Sequence, residues 1–215
     1  MFVTTQVGSW PRSRQMLKAL RDRRMGRMTR KEFNRVADDA VRTTVRIQED
    51  AGLDVLVDGE HRRDNFYSFI AEKVEGTRIM TLAEMLDDVE DKSGFEEILS
   101  TLDVPASAIS NPTCVGRLSR HEPLALDDFH FVKSLTDKPV KITLPGPYLL
   151  SRAMWVGGHT DKVYANQRAM GDDVVNILRE ELAELARAGC EFVQFDEPVL
   201  TEVVMSAECG RRTFM

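Results

Sequence analysis

The chain has 215 residues, 42% of them hydrophobic and 30% charged, with a formal net charge of −6 at pH 7. That size suits one domain with a sizeable core or two small ones, and the composition excludes a disordered chain. A mildly acidic balance with no basic tail argues against nucleic acid or an anionic membrane as partner, and no apolar run nears the roughly 20 residues that span a bilayer.

Phe2 to Val7 reads as a first strand, ended by the turn Gly8-Ser9-Trp10-Pro11. Ser13 to Arg23 suits a short helix. Thr29-Arg30-Lys31-Glu32 has the form of a capping box. The helix it opens carries Phe33, Val36, Ala37, Ala40, Val41, Thr44 and Val45 on one face and closes at Gly52. Leu53 to Asp58 is the expected second strand. From Asp64 to Asn111 the pattern weakens, although Thr81 to Val89 has the look of a short amphipathic helix. Cys114 to Leu118 is the expected third strand and Asp127 to Ser134 a short helix. Pro139 to Leu144 is the fourth strand, partly alternating and ending in Pro145-Gly146-Pro147. A helix capped by Thr160 or Asp161 is expected to run to about Ala188, followed by a fifth strand, Glu191 to Phe195.

The stretch Val55-Leu56-Val57-Asp58-Gly59-Glu60 has a counterpart in Phe192-Val193-Gln194-Phe195-Asp196-Glu197-Pro198. In both, a helix closes on Ala-Gly, an apolar strand follows, and carboxylates arrive at its C-terminal end. Strands alternating with helices imply parallel pairing, and chemistry collects at that end of such strands. No Gly-x-Gly-x-x-Gly or Walker loop follows the first strand, which lowers the nucleotide-binding alternative. The three cysteines, Cys114, Cys190 and Cys209, are widely spaced and form no CxxC pair, so neither a disulfide framework nor a zinc motif is supported. The start, Met1-Phe2-Val3-Thr4-Thr5, lacks the regions of a signal peptide, and a cytoplasmic protein is expected.

Four segments in order resemble one family: Thr4-Thr5-Gln6-Val7-Gly8-Ser9-Trp10-Pro11, Gln48 to Glu60, Val140-Lys141-Ile142-Thr143-Leu144-Pro145-Gly146-Pro147, and Phe195-Asp196-Glu197-Pro198-Val199-Leu200. The chain is similar to the catalytic barrel of cobalamin-independent methionine synthase and its relatives, including epoxyalkane:coenzyme M transferases. The resemblance implies an α/β fold: part of a (β/α)₈ TIM barrel, about five strand–helix units. Residues 1–215 would be one domain, with an excursion at 64–113 inserted after the second strand over the barrel mouth. It implies a methyl or alkyl transferase acting on a thiol such as homocysteine, with a small-molecule alkyl donor. Zinc would hold the thiol as thiolate, its ligands, a His-x-Cys pair and a further Cys, being expected beyond residue 215. No residue of this chain is assigned to the metal or to catalysis.

By the same resemblance Ser9 contacts the substrate carboxylate, while Glu60 and Asp196 hold its ammonium group. The bland alternatives are turn chemistry at Ser9 and Asp196-Glu197-Pro198, and an exposed acid at Glu60. His61, Arg62 and Arg63 form either an anion-binding group or a solvated basic patch paired with Glu60 or Asp64. Where folate-using members carry an aromatic residue after Gly-Pro, Arg152 and Ala153 stand here, which leaves the alkyl donor open. Exposed barrel edges carry the expectation of self-association. A lyase of the uroporphyrinogen decarboxylase type and an inactive barrel fragment are the alternatives.

Overall fold

The computed structural model describes residues 2–81, 84 and 110–200. The chain divides into two units, one formed by residues 1–69, 123–144 and 181–195, the other by 70–122, 145–180 and 196–215. Each is taken by itself.

In the first unit, Ser13 caps helix α1 (Arg14–Arg24) by accepting from the Met16 amide. Thr29 opens helix α2 (Arg30–Asp50) through a complete capping box with Glu32. The periodic face read from the sequence is the one that packs. Met16 and Ala19 of α1 meet Phe33 and Ala37 of α2, with Leu20, Met28, Val36 and Ala40 around them. Gly52, at φ 75°, supplies the left-handed step after α2.

Parallel pairing follows in the expected order but over shorter lengths. Thr5 bridges Val55, and Leu56 bridges Val140. Strand β3 (Lys141–Pro145) and strand β4 (Phe192–Asp196) are hydrogen-bonded neighbours. The first two expected strands reduce to these single bridges because side chains take over the ladder. The Asp54 carboxylate accepts from the Thr4 amide at 2.8 Å. The buried Gln48 side chain donates to the Val57 carbonyl at 2.8 Å and accepts from its amide at 3.0 Å. Helix α3 (Leu126–Lys133) has no cap of its own. Glu181 supplies one from a distance, its carboxylate accepting from the Leu124 and Ala125 amides at 2.6 and 2.7 Å.

The second unit holds an antiparallel ladder of β1 (Val74–Thr81) and β2 (Ser110–Arg120). This corrects the third-strand expectation. Cys114 to Leu118 pairs antiparallel with 74–81, while the parallel neighbour of Leu56 is Val140. An apolar run does not declare the direction of its partner, and the partner here lies in the stretch that lacked a period. Gly76 marks a bulge, with φ 79° and no room for a Cβ, which would lie 2.3 Å from the Arg117 carbonyl oxygen. Of the helix expected at 81–89 only Thr81 and Glu84 are described: Glu84 accepts from the Thr81 amide at 2.7 Å and hydroxyl at 2.8 Å. The rest lies outside the described residues.

The expected long helix begins later than read. Thr160 is buried, its hydroxyl accepting from the Val156 amide at 3.0 Å and donating to the Cys114 carbonyl at 2.9 Å. Helix α4 (Pro147–Ala153) and a short 3₁₀ turn, Thr160–Lys162, precede helix α5 (Gln167–Arg187). At the start of α5 the Asn166 side chain accepts from the Ala169 amide at 2.9 Å. Tyr164 is buried against β2, accepting from the Leu118 amide at 2.9 Å and donating to Asp173 at 2.6 Å. Among the described residues no helix is long and apolar enough to cross a membrane.

Phe33 fills the centre of the α1–α2 cluster with no exposed surface. Phe33→Ala is expected to cost about 3–5 kcal/mol, and Thr29→Ala about 1 kcal/mol. Denaturant unfolding monitored by circular dichroism measures both.

Candidate functional site

Two loops of the first unit meet at Glu60. The Trp10 amide donates to the Gly59 carbonyl at 3.1 Å, and the Arg12 guanidinium donates to the Glu60 and Arg63 carbonyls at 3.2 and 2.8 Å. Gly59 and Glu60 both adopt left-handed backbone, at φ 70° and 57°. For glycine this is free. For Glu60, the one described non-glycine residue with positive φ, it stores about 1 kcal/mol or more of strain. The Asp58 carboxylate holds the turn by accepting from the Glu60 amide at 3.0 Å.

The turn buries the Glu60 side chain, leaving it 2% exposed. Its two oxygens are separately held. Thr143 of β3 donates to Oε1 at 2.7 Å, and the Ser9 hydroxyl donates to Oε2. Gly8 makes room, since a Cβ there would lie 2.6 Å from Oε1. Arg63 Nη1 donates to the Thr143 carbonyl at 2.9 Å and to its hydroxyl at 3.2 Å, and stands 3.8 Å from Glu60 Oε1. The Phe69 ring covers the Arg63 guanidinium at 4.4 Å.

Unpaired polar atoms concentrate in these loops. Among the described residues, Trp10 Nε1, Arg12 Nε, Asp58 Oδ2, His61 Nδ1 and the Nε and Nη2 of Arg63 are buried without a partner. Folded proteins keep few such atoms, so their collection around one oriented carboxylate makes these loops the candidate site. Burial raises the Asp58 pKa, Arg63 opposing part of that effect. Burial also pushes His61 down to about 4, with Arg12 and Arg62 adding to it. Its Nε2 shares a hydrogen bond of 2.7 Å with Thr44 Oγ1.

The basic triplet is therefore neither a solvated patch nor a free anion site. Arg62 pairs with Asp38 at 2.6 Å and Asp128 at 3.1 Å, Arg63 is buried against Thr143, and His61 is buried and neutral. A second buried cation lies in the same unit. Lys141 of β3 donates to the carbonyls of Gln6 and Val7, the latter at 3.1 Å, and to Gln194 Oε1 at 2.6 Å.

The structure brings Ser9 and Glu60 together, with Ser9 exposed at the outer side of the carboxylate. Asp196 falls in the second unit, half-buried at the end of β4, where its carbonyl accepts from the Gly146 amide at 2.8 Å. Its neighbour Glu197 has a different task. Its oxygens accept from the Tyr148 and Leu149 amides at 2.7 and 2.8 Å, capping α4, which has no side-chain cap of its own. Gly146 admits it, since a Cβ there would lie 2.2 Å from the Glu197 carboxyl carbon. Sequence reasoning missed Thr143 and Lys141. The available signal was that both are polar at alternate positions of a strand buried along its whole length.

Residues 2–214 match the family model described as "Cobalamin-independent synthase, Catalytic domain". A methionine synthase of Sulfolobus acidocaldarius is 28% identical over 198 residues, which are 92% of this chain and 52% of that protein. The chain thus spans about half the length of that curated relative. A B12-independent methionine synthase from Shewanella sp. W3-18-1, solved in complex with selenomethionine, superposes with a TM-score of 0.59 at 27% identity. The match covers 80% of this chain and 44% of the other. A putative vitamin-B12 independent methionine synthase from Listeria monocytogenes shares the fold, with a TM-score of 0.68 at 18% identity over 96% of this chain and 54% of that one.

His61 yields a signed pH effect. Its folded pKa of about 4 lies below the unfolded value of 6.5, so the folded chain binds fewer protons than the unfolded chain between those values. Stability is full above 6.5 and is lost as pH falls towards 4. Chemical denaturation at pH 7 and pH 5 is expected to show the wild type losing about 2 kcal/mol more than His61→Gln.

Proposed function

We propose a thiol-alkylating role for this chain, which belongs to the family of the cobalamin-independent synthase catalytic domain. The reading is a methionine synthase-like transferase that moves a methyl or alkyl group to the sulfur of an amino-acid thiol such as homocysteine. One observation carries it: the Glu60 carboxylate is buried and aimed by Ser9 and Thr143 on a strained turn. A carboxylate so placed is suited to receive an ammonium group, because two opposite charges leaving water together offset each other's desolvation. In this reading Glu60 takes the substrate ammonium and Ser9 stands beside the substrate carboxylate, while the role of Asp196 as second acid, in the other unit, rests on the family resemblance.

The partial (β/α)₈ barrel belongs to the same reading. It is supported by the parallel bridges in chain order and by the fold shared with the solved synthases. Zinc finds no ligand set among the described residues, where no three of His, Cys, Asp and Glu come together. Cys114 and Cys190 are buried thiols whose pKa burial raises, to about 11 for Cys114, the opposite of what a metal-bound thiolate needs. No step is therefore derived through the metal. What these residues supply is the grip on the amino-acid end of the thiol.

Calorimetric titration with L-homocysteine tests the assignment. Glu60→Gln keeps the shape, removes the charge, and is expected to weaken binding about tenfold or more. An unchanged affinity would remove Glu60 from the site.

A further inference from the structure

We infer that Thr143 is a positioning residue that sets the selectivity of the Glu60 pocket for a cationic head group; this rests on the role just proposed for Glu60. The Thr143 hydroxyl has one proton and sits between a donor and an acceptor. Arg63 Nη1 approaches its oxygen at 3.2 Å, and Glu60 Oε1 lies 2.7 Å away. The Arg63 guanidinium only donates and has no lone pair to accept with, so its N–H points at the Thr143 oxygen and the Thr143 proton points at Glu60. The direction of the hydrogen bond is fixed by its surroundings.

Arg63 is itself held. It is 2% exposed, covered by Phe69, and tied to the Thr143 carbonyl at 2.9 Å. The backbone and the hydroxyl of residue 143 are therefore gripped by one guanidinium. Thr143, also 2% exposed, has no freedom to turn towards another partner. Ser9 on the other oxygen is exposed and is free to exchange its bond with water or ligand. The two hydroxyls divide the work: Thr143 fixes the plane of the carboxylate, and Ser9 leaves its outer oxygen available. A carboxylate kept in one plane on a strained turn presents lone pairs to an ammonium group in one direction. Without Thr143 it rotates, and Arg63 at 3.8 Å becomes its competing partner.

The test compares two thiols on the full 215-residue chain: L-homocysteine, and 4-mercaptobutanoate, which lacks only the amino group. Calorimetry gives both affinities for wild type, Thr143→Val, Thr143→Ser and Glu60→Gln. Thr143→Val is expected to lose about tenfold for homocysteine and less than about twofold for the desamino thiol, and Thr143→Ser to recover the wild-type ratio. A purely structural role lowers both affinities together in Thr143→Val and overturns the inference, as does an unchanged ratio. Loss of the ratio in Glu60→Gln but not in Thr143→Val overturns the role of Thr143 and leaves that of Glu60 standing. A wild-type chain that binds the two thiols alike, or neither, overturns both.

Discussion

The site depends on a carboxylate that cannot choose its own direction. Glu60 sits on a backbone that L-residues avoid, its amide is held by Asp58, its carbonyl by Arg12, and its two oxygens by separate hydroxyls. Each of these contacts is ordinary. Together they over-determine one side chain, the condition under which strain persists in a folded protein. The lack of a side chain at Gly8 belongs to the same design, because a Cβ there would lie 2.6 Å from Oε1.

The buried charges around it follow the same logic. Arg63 and Lys141 are almost fully covered, and backbone carbonyls carry much of their solvation. Carbonyl oxygens accept from a cation without adding a carboxylate that would compete with Glu60. Asp58 shows the cost of burying an acid: desolvation disfavours its charged form, Asp128 and Glu60 add to that, and Arg63 and the Glu60 amide oppose it. His61, neutral and bonded to Thr44, joins the loop to α2 without adding charge.

Much of this was readable from the residues. The capping box at Thr29, the apolar face of α2 and the acids closing two similar strands are local patterns, and local patterns survive folding. Several misreadings share a source. Where a side chain from afar replaces a backbone partner, the local pattern misreports length or pairing. Gln48 and Asp54 shorten the second strand, and Thr160 leaves its cap role to bond the carbonyl of Cys114. The third strand was recognised as a strand, but its antiparallel partner lay in a stretch without period. Glu60 and Ser9 were found through motif, whereas Thr143 was visible only as a polar residue where an apolar one would have packed.

Two helix starts are bonded by acids far along the chain. Glu181 caps α3 across 57 residues, and Glu197 caps α4 across 49. During synthesis each helix emerges from the ribosome well before the carboxylate that completes it. Neither start is therefore secure until the later strand–helix unit has been made and has docked. Long-range closures of this kind slow folding and delay commitment to the native topology. Completion of these two segments thereby waits on residues made some fifty positions later.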